Sequence, residues 1–268
     1  MAKPAWIDSH CHLTDPRWGS SLAASLAQAR EKGVGRWIQG GISPEEWDRQ
    51  LALKRHLGAE IVPVFGVHPW WVSDHSDAQV AVALAQLAER LDGAAGVGET
   101  GLDLHPRRLT PGSELRQRTA FEAQLSLAKS ARKPLVLHLV RAEAPALEIL
   151  RQQAPFPHGG MIHSFSGSVE TARAYLDMGF LLSVGGSLTR PEAEPLRRAV
   201  AQVPADRLVL ETDAPDQAPT LPGLDRRSRN EPVNLIGVAE LTAQIRRTTM
   251  EEVLTQSTKN LIGLFSLE

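Results

Sequence analysis

The chain has 268 residues, 42% of them hydrophobic, enough to bury a substantial core as one domain. Its 29 Lys and Arg against 31 Asp and Glu give a formal net charge of -2, which excludes the basic excess of a protein that wraps long duplex DNA. The one cysteine, Cys11, excludes an intramolecular disulfide and fits a reducing cytoplasm, and no stretch reads as a signal peptide or membrane span.

Taken in chain order, short β-prone runs alternate with amphipathic segments. Ala5-Trp6-Ile7 opens the chain and runs into Asp8, His10 and His12. Arg36 to Gly40 and Ile61 to Gly66 supply the next two strands, the second leading to His68. Ala94 to Gly98 stops at Glu99, Leu135 to Leu137 at His138, and Gly160 to Ile162 at His163. Phe180 to Gly185 follows, and Leu208 to Thr212 stops at Asp213. Helices are predicted over Ser20 to Lys32, Pro44 to Leu57, Ala78 to Leu91, Ser113 to Arg132 and Ala142 to Gln152. Four more are predicted over Val169 to Met178, Pro191 to Val203, Pro232 to Arg247 and Glu251 to Phe265. Ser43 is expected to cap the second of the nine, with Pro44 at its first position.

Eight strands alternating with helices predict an α/β fold, a (β/α)8 TIM barrel over residues 1–268 as a single domain. The last helix exceeds what eight units require and is expected to close the barrel's outside. In such a barrel the carboxyl ends of the strands converge on one mouth, so ligands far apart in sequence meet around a common ion.

His10 and His12, at i and i+2 on a strand, project to one side within reach of one metal ion. Cys11 between them should point the other way. Asp8 is either a ligand or a carboxylate that orients a ligand histidine. Glu99 has two oxygens and can bridge two cations, which a histidine cannot. Asp103 lies in the same loop and is expected to hydrogen-bond to the turn or a neighbour. His138 and His163, at equivalent positions of consecutive units, argue for a second metal site. Asp213 supplies the carboxylate that orients a water and collects its proton, and Glu211 supports the interior or a ligand histidine. His68 is placed to touch substrate. Of Trp70 and Trp71 one is expected to pack beneath the loop, and Trp71 is taken as the substrate contact. Arg226, Arg227 and Arg229 could meet one or two phosphates.

The pattern resembles the TatD family of metal-dependent hydrolases, within the amidohydrolase-like barrel group. The resemblance runs nearly end to end. It is carried by Ile7-Asp8-Ser9-His10-Cys11-His12-Leu13, Gly66-Val67-His68-Pro69 and Gly98-Glu99-Thr100-Gly101-Leu102-Asp103. The later parts are His163-Ser164-Phe165-Ser166-Gly167, Glu211-Thr212-Asp213-Ala214-Pro215, Arg229-Asn230-Glu231-Pro232 and Asn260-Leu261-Ile262-Gly263-Leu264-Phe265. It implies two divalent metal ions, Zn, Mn or Mg, with His10, His12 and Asp213 holding one, His138 and His163 the other, and Glu99 bridging. It also implies deoxyribonuclease activity that trims DNA ends. The family usually has an arginine two residues after the fifth-strand histidine; here Val140 holds that place and Arg141 follows.

The sequence thus predicts a cytoplasmic metal-dependent hydrolase. Asp213 and Glu99 are catalytic, and His68, Arg141, Trp71, Arg227 and Arg229 bind substrate. Its substrate is DNA, single-stranded or at ends, and no obligate protein partner or membrane is evident. The alternative keeps the binuclear site and changes the bond to that of a small-molecule amide, lactone or ester, since one barrel hosts many chemistries.

Overall fold

The structure, a computed structural model, describes residues 5–221, 223, 224 and 227–268. Its strands are β1 (Trp6–Cys11), β2 (Val34–Gln39), β3 (Ile61–Phe65), β4 (Gly96–Asp103), β5 (Leu135–Val140), β6 (Gly160–Ile162), β7 (Phe180–Val184) and β8 (Leu208–Leu210). They pair in parallel in chain order, as the expected barrel requires. The helices are α1 (Leu22–Glu31), α2 (Pro44–Leu57), α3 (Pro69–Asp74), α4 (Asp77–Arg90), α5 (Ser113–Ala131), α6 (Glu143–Gln153), α7 (Val169–Asp177), α8 (Glu194–Gln202), α9 (Leu235–Arg246) and α10 (Met250–Phe265). No described helix is long and apolar enough to cross a membrane.

The seam between β8 and β1 closes just beyond β8. Asp213 N donates to His10 O at 2.9 Å and His12 N to Ala214 O at 2.7 Å. Asp8 clasps the same seam: its carboxylate accepts from Thr212 N at 2.9 Å and Thr212 Oγ1 at 2.5 Å. Asp8 is therefore neither a ligand nor a partner of a histidine ring, but the fastener of the barrel.

Inside, three layers lie between floor and mouth. Ile7, Ile38, Val62, Val64, Val136, Met161, Leu181 and Val209 fill the lower barrel with Leu261 and Phe265 of α10. That helix does not lie on the barrel's outside. Thr258 Oγ1 accepts from Ile7 N and Ser257 Oγ from Leu210 N, while Phe265 reaches the start of β4 at Gly96. It plugs the bottom, so the apolar layer is sealed from water. Thr249 and Glu252 begin it with a reciprocal capping box. Above the apolar layer, Ser9 Oγ meets Ser183 Oγ at 2.6 Å, and Ser183 donates to Glu211 at 2.5 Å. The third layer is the mouth.

Between strands and helices lies a second apolar shell that includes Trp37, Trp47, Phe65, Phe121 and Tyr175. Cys11 points into it, with Gln39 Nε2 at 3.2 Å from its sulfur, away from the mouth as alternation predicts. Ser43 stands at the start of α2, but its hydroxyl does not cap it. Glu46, one turn in, instead accepts from Ile42 N and Thr14 Oγ1, both at 2.9 Å.

The loops after β2 and β3 pack directly on the β4 backbone. A Cβ on Gly66 would stand 2.6 Å from Glu99 O and 2.7 Å from Gly98 Cα. Gly66→Ala must push β4 outward, and overpacking of this kind costs about 1–3 kcal/mol. A drop of several degrees in melting temperature is expected by calorimetry; an unchanged melt would mean that this backbone contact yields freely.

Candidate metal centre

Glu99 stands at the centre of the mouth. Its strand does not stop there, as the sequence suggested, but continues to Asp103; the β4–β5 ladder is paired at Val97 before the residue and resumes at Thr100 after it. Glu99 N donates to Gly41 O at 2.7 Å. The two carboxylate oxygens face different histidines. Oε1 lies 3.5 Å from His10 Nε2 and 3.4 Å from His12 Nε2. Oε2 lies 3.4 Å from His138 Nδ1, 3.3 Å from His163 Nε2 and 3.7 Å from His68 Nε2. Asp213 Oδ1 completes the first group, 3.7 Å from His10 Nε2 and 3.4 Å from His12 Nε2. All seven residues are buried.

These spacings fit a shared cation better than hydrogen bonds. Ligand atoms held about 2.0–2.2 Å from one tetrahedral ion stand about 3.3–3.6 Å from each other. Buried donors and acceptors are normally paired. Here both nitrogens of His10, Nδ1 of His12 and Oε1 of Glu99 have no hydrogen-bond partner among the described residues. The end of β2 supplies room instead of a ligand: a Cβ on Gly40 would stand 2.5 Å from His10 Cε1 and 2.6 Å from Glu99 Oε1. The residues present therefore fit a divalent metal ion, and His, Glu and Asp atoms gather in overlapping groups able to hold one.

Neighbouring carboxylates set which ring nitrogen is free. Asp103 Oδ2 lies 3.4 Å from His138 Nε2, leaving Nδ1 toward Glu99. Glu211 Oε1 lies 3.2 Å from His163 Nδ1, though not in line for a straight hydrogen bond, leaving Nε2 free. Both are the outer partners a metal-binding imidazole needs to fix its tautomer. His68 differs. Its Nδ1 accepts from Trp70 N at 3.0 Å, so the neutral ring carries its proton on Nε2, the nitrogen that faces the cluster. It presents a donor there, not a lone pair.

Charge balance shows in the titration of the group. Burial alone would raise the Glu99 carboxyl, but His10, His12 and His68 hold it well below the carboxylate range. Burial opposes protonation of His12, yet Glu99 and Asp213 push it up to about 10. Burial likewise opposes His163, which Glu211 pushes up to about 9. His68 is pushed well down by burial and by His138. Protons on His12 and His163 thus stand in for the cationic charge that the carboxylates require.

The cluster opens into a cleft of about 830 Å³. Arg141 lines it from just beyond β5, with a left-handed φ of 52°, so an arginine does reach the mouth although Val140 holds the earlier place. Trp71 does not: it stacks on His75 with ring centroids 3.7 Å apart, beside a separate surface pocket. Trp70 lines the cleft, its indole donating to Asp103 Oδ2 at 2.5 Å and covered by Arg108 at 3.7 Å. The two tryptophans part because Pro69–Asp74 is a helix, in which successive side chains diverge by about a hundred degrees. His68 before Pro69 was the available signal for it.

Arg229 is also displaced. It packs over Trp18 at 4.9 Å and donates to Ser21 Oγ at 2.8 Å and Glu231 Oε1 at 3.0 Å, tying the loop down. Arg227 does not line the cleft, and Arg226 lies outside the described residues. Among the described residues, the guanidinium groups that do line it, besides Arg141, are Arg17, Arg107, Arg108 and Arg190.

A parallel barrel with a histidine and carboxylate cluster at the carboxyl ends of its strands defines a metal-dependent hydrolase. The TatD-related DNase family matches residues 7–266, and the chain belongs to it. It is 33% identical over 263 residues to the metal-dependent hydrolase YjjV of Escherichia coli, covering 98% of each chain. The crystal structure of YjjV superposes with a TM-score of 0.88 over 98% of both chains. The chain is 30% identical to the 3'-5' ssDNA/RNA exonuclease TatD of Erwinia amylovora, covering 97% of this chain and 100% of that one. A mutant organophosphorus hydrolase from Deinococcus radiodurans shares the fold at 15% identity and a TM-score of 0.67, covering 98% of this chain and 94% of the other.

Gly40→Ala should fill the space between His10 and Glu99 while leaving the apolar layers intact. Saturating Zn or Mn at a hundredfold its Kd stabilises a folded protein by about 2.7 kcal/mol. The wild type should therefore melt several degrees higher with metal than with a chelator, and the variant should lose that difference. An undiminished metal-induced shift would show that the Cβ is accommodated outside the centre.

Proposed function

We propose that the chain is a two-metal phosphodiesterase that trims DNA ends, single strands in particular. One observation carries this reading: a single buried carboxylate turns each of its oxygens toward a separate set of imidazoles. His10, His12, Asp213 and Glu99 would hold one ion, and His138, His163 and Glu99 the other. The nitrogen-rich set suits Zn or Mn better than Mg, which favours oxygen shells. Bound, such ions supply positive charge against a phosphate and make water more acidic at neutral pH.

The remaining work belongs to side chains. Gln217 Nε2 donates to Asp213 Oδ2 at 2.7 Å and fixes the carboxylate that takes the proton of the attacking water. His68 offers its Nε2 proton to a phosphate oxygen, and its buried, neutral ring stays a donor. Arg141 meets the phosphate from across the cleft; a guanidinium matches phosphate geometry and has no comparable use on a neutral lactone or amide. The name of the Erwinia relative, an exonuclease on single-stranded DNA and RNA, supports the same substrate. Cys11, buried and unpaired, suits a reducing compartment, and we place the reaction in the cytoplasm.

The test is cleavage of single-stranded DNA, duplex DNA and a panel of esters, lactones and amides, each with Zn, Mn or Mg. Single-stranded ends should be shortened fastest. Asp213→Asn should keep most of the metal but lose about 10²-fold or more in turnover, the scale of lost general-base help. Glu99→Gln should lose both metal and turnover. Metal-replete protein that opens a lactone and leaves every DNA intact would replace this reading with the small-molecule one.

A further inference from the structure

We propose that Ser187 and Arg190 form a seat for a second substrate phosphate, the one flanking the bond to be cut. This rests on the phosphodiesterase reading and narrows its substrate to chains carrying adjacent phosphates. Ser187 is 6% exposed and its hydroxyl has no hydrogen-bond partner among the described residues. Arg190 Nε is likewise buried and unpartnered, and both residues line the cleft that holds the histidine cluster. Buried donors left unpaired in a cleft call for an acceptor from outside the chain.

The backbone under this pair is fully tied. The turn Gly186–Thr189 is locked to the segment after β8: Thr189 Oγ1 accepts from Thr220 N at 2.7 Å and donates to Gly186 O at 2.7 Å. Arg197 NH1 donates to Arg190 O at 2.8 Å and Leu188 O at 3.1 Å. Gly186 lies so close to Gln217 O that no Cβ would fit, and the side chain of Gln217 is the one that grips Asp213. The seat is thus rigid and one residue removed from the proposed base.

Two other cations of the cleft are already engaged. Arg17 forms paired hydrogen bonds with both Asp15 and Asp216, and Arg108 lies over Trp70. Arg190 differs in holding a buried donor that no described residue uses. An anion with several oxygens satisfies Nε and the Ser187 hydroxyl together, as a phosphate does.

The test uses the full chain and a fluorescent single-stranded oligothymidylate. Binding in chelator is measured against salt, and cleavage with Mn is compared on the oligonucleotide and on bis-p-nitrophenyl phosphate, which has one phosphate. Losing one phosphate contact should flatten the log-log salt slope by about 0.7 in Arg190→Gln. Its affinity should fall about tenfold, and its preference for the oligonucleotide over the small diester by a similar factor. Arg190→Lys should restore most of the slope. Ser187→Ala, which removes one oxygen, should weaken binding without changing the slope and serves if Arg190→Gln folds poorly. An unchanged slope, or equal losses on both substrates, would overturn the seat. Wild-type protein that cleaves neither diester but shows the slope change would keep the seat and remove the phosphodiesterase reading.

Discussion

The mouth of this barrel is organised around the burial of one carboxylate among imidazoles. Glu99 has five histidine rings within 3.3–3.7 Å of its oxygens and sits where water cannot screen it. Such a group is costly to bury unless opposite charge is held against it. Protons on His12 and His163 supply that charge in the chain alone, and a bound divalent ion would supply more of it. The same electrostatic demand thus explains the clustering and the raised histidines, and it suits the cluster to a cation. Placing the residue on a strand, with its backbone N–H bonded to the β2 loop and glycines packed around it, keeps its two carboxylate oxygens turned toward two different sets.

That demand is met only because the layers beneath are insulated from it. The apolar floor, sealed by α10, gives rigidity without polar groups to satisfy. Ser9, Ser183 and Glu211 form the transition, where each oxygen has a partner and Glu211 also faces His163. Asp103 does the equivalent for His138 while anchoring Trp70, so the outer wall of the cleft and the second imidazole set share one carboxylate. Movement of the Trp70 wall would therefore reach His138 through a single side chain. Arg141, Ser164 and Asp213 all adopt positive φ just beyond their strands, a conformation that bulky residues hold only when the surroundings enforce it.

The barrel and the residues of the cluster were legible in the sequence because both follow from periodicity. A ligand at the end of an apolar run is visible without knowing any contact. What was missed depends on geometry across the chain. Asp8 lay in step with the ligands but turns to Thr212, since the seam of the barrel needs a fastener there. Trp70 and Trp71 were separated by a six-residue helix too short to leave a periodic signal. Arg229 looked free because the Trp18 face that it covers lies far away in sequence. Gly40 contributes only an absence of atoms, which no ligand motif can display.

Net charge was informative about scale and silent about place. A chain at -2 cannot wrap a long duplex through bulk electrostatics, yet among the described residues its cleft gathers five guanidinium groups around a few carboxylates. Arg17 is neutralised by two aspartates and Arg108 is stacked on Trp70, leaving a small number of donors for an incoming anion. On the phosphodiesterase reading proposed above, such a surface gains from one or two phosphates close to the histidine cluster and little from those farther along. On that reading it suits the end of a strand, where only those phosphates need to enter, more than the middle of a helix.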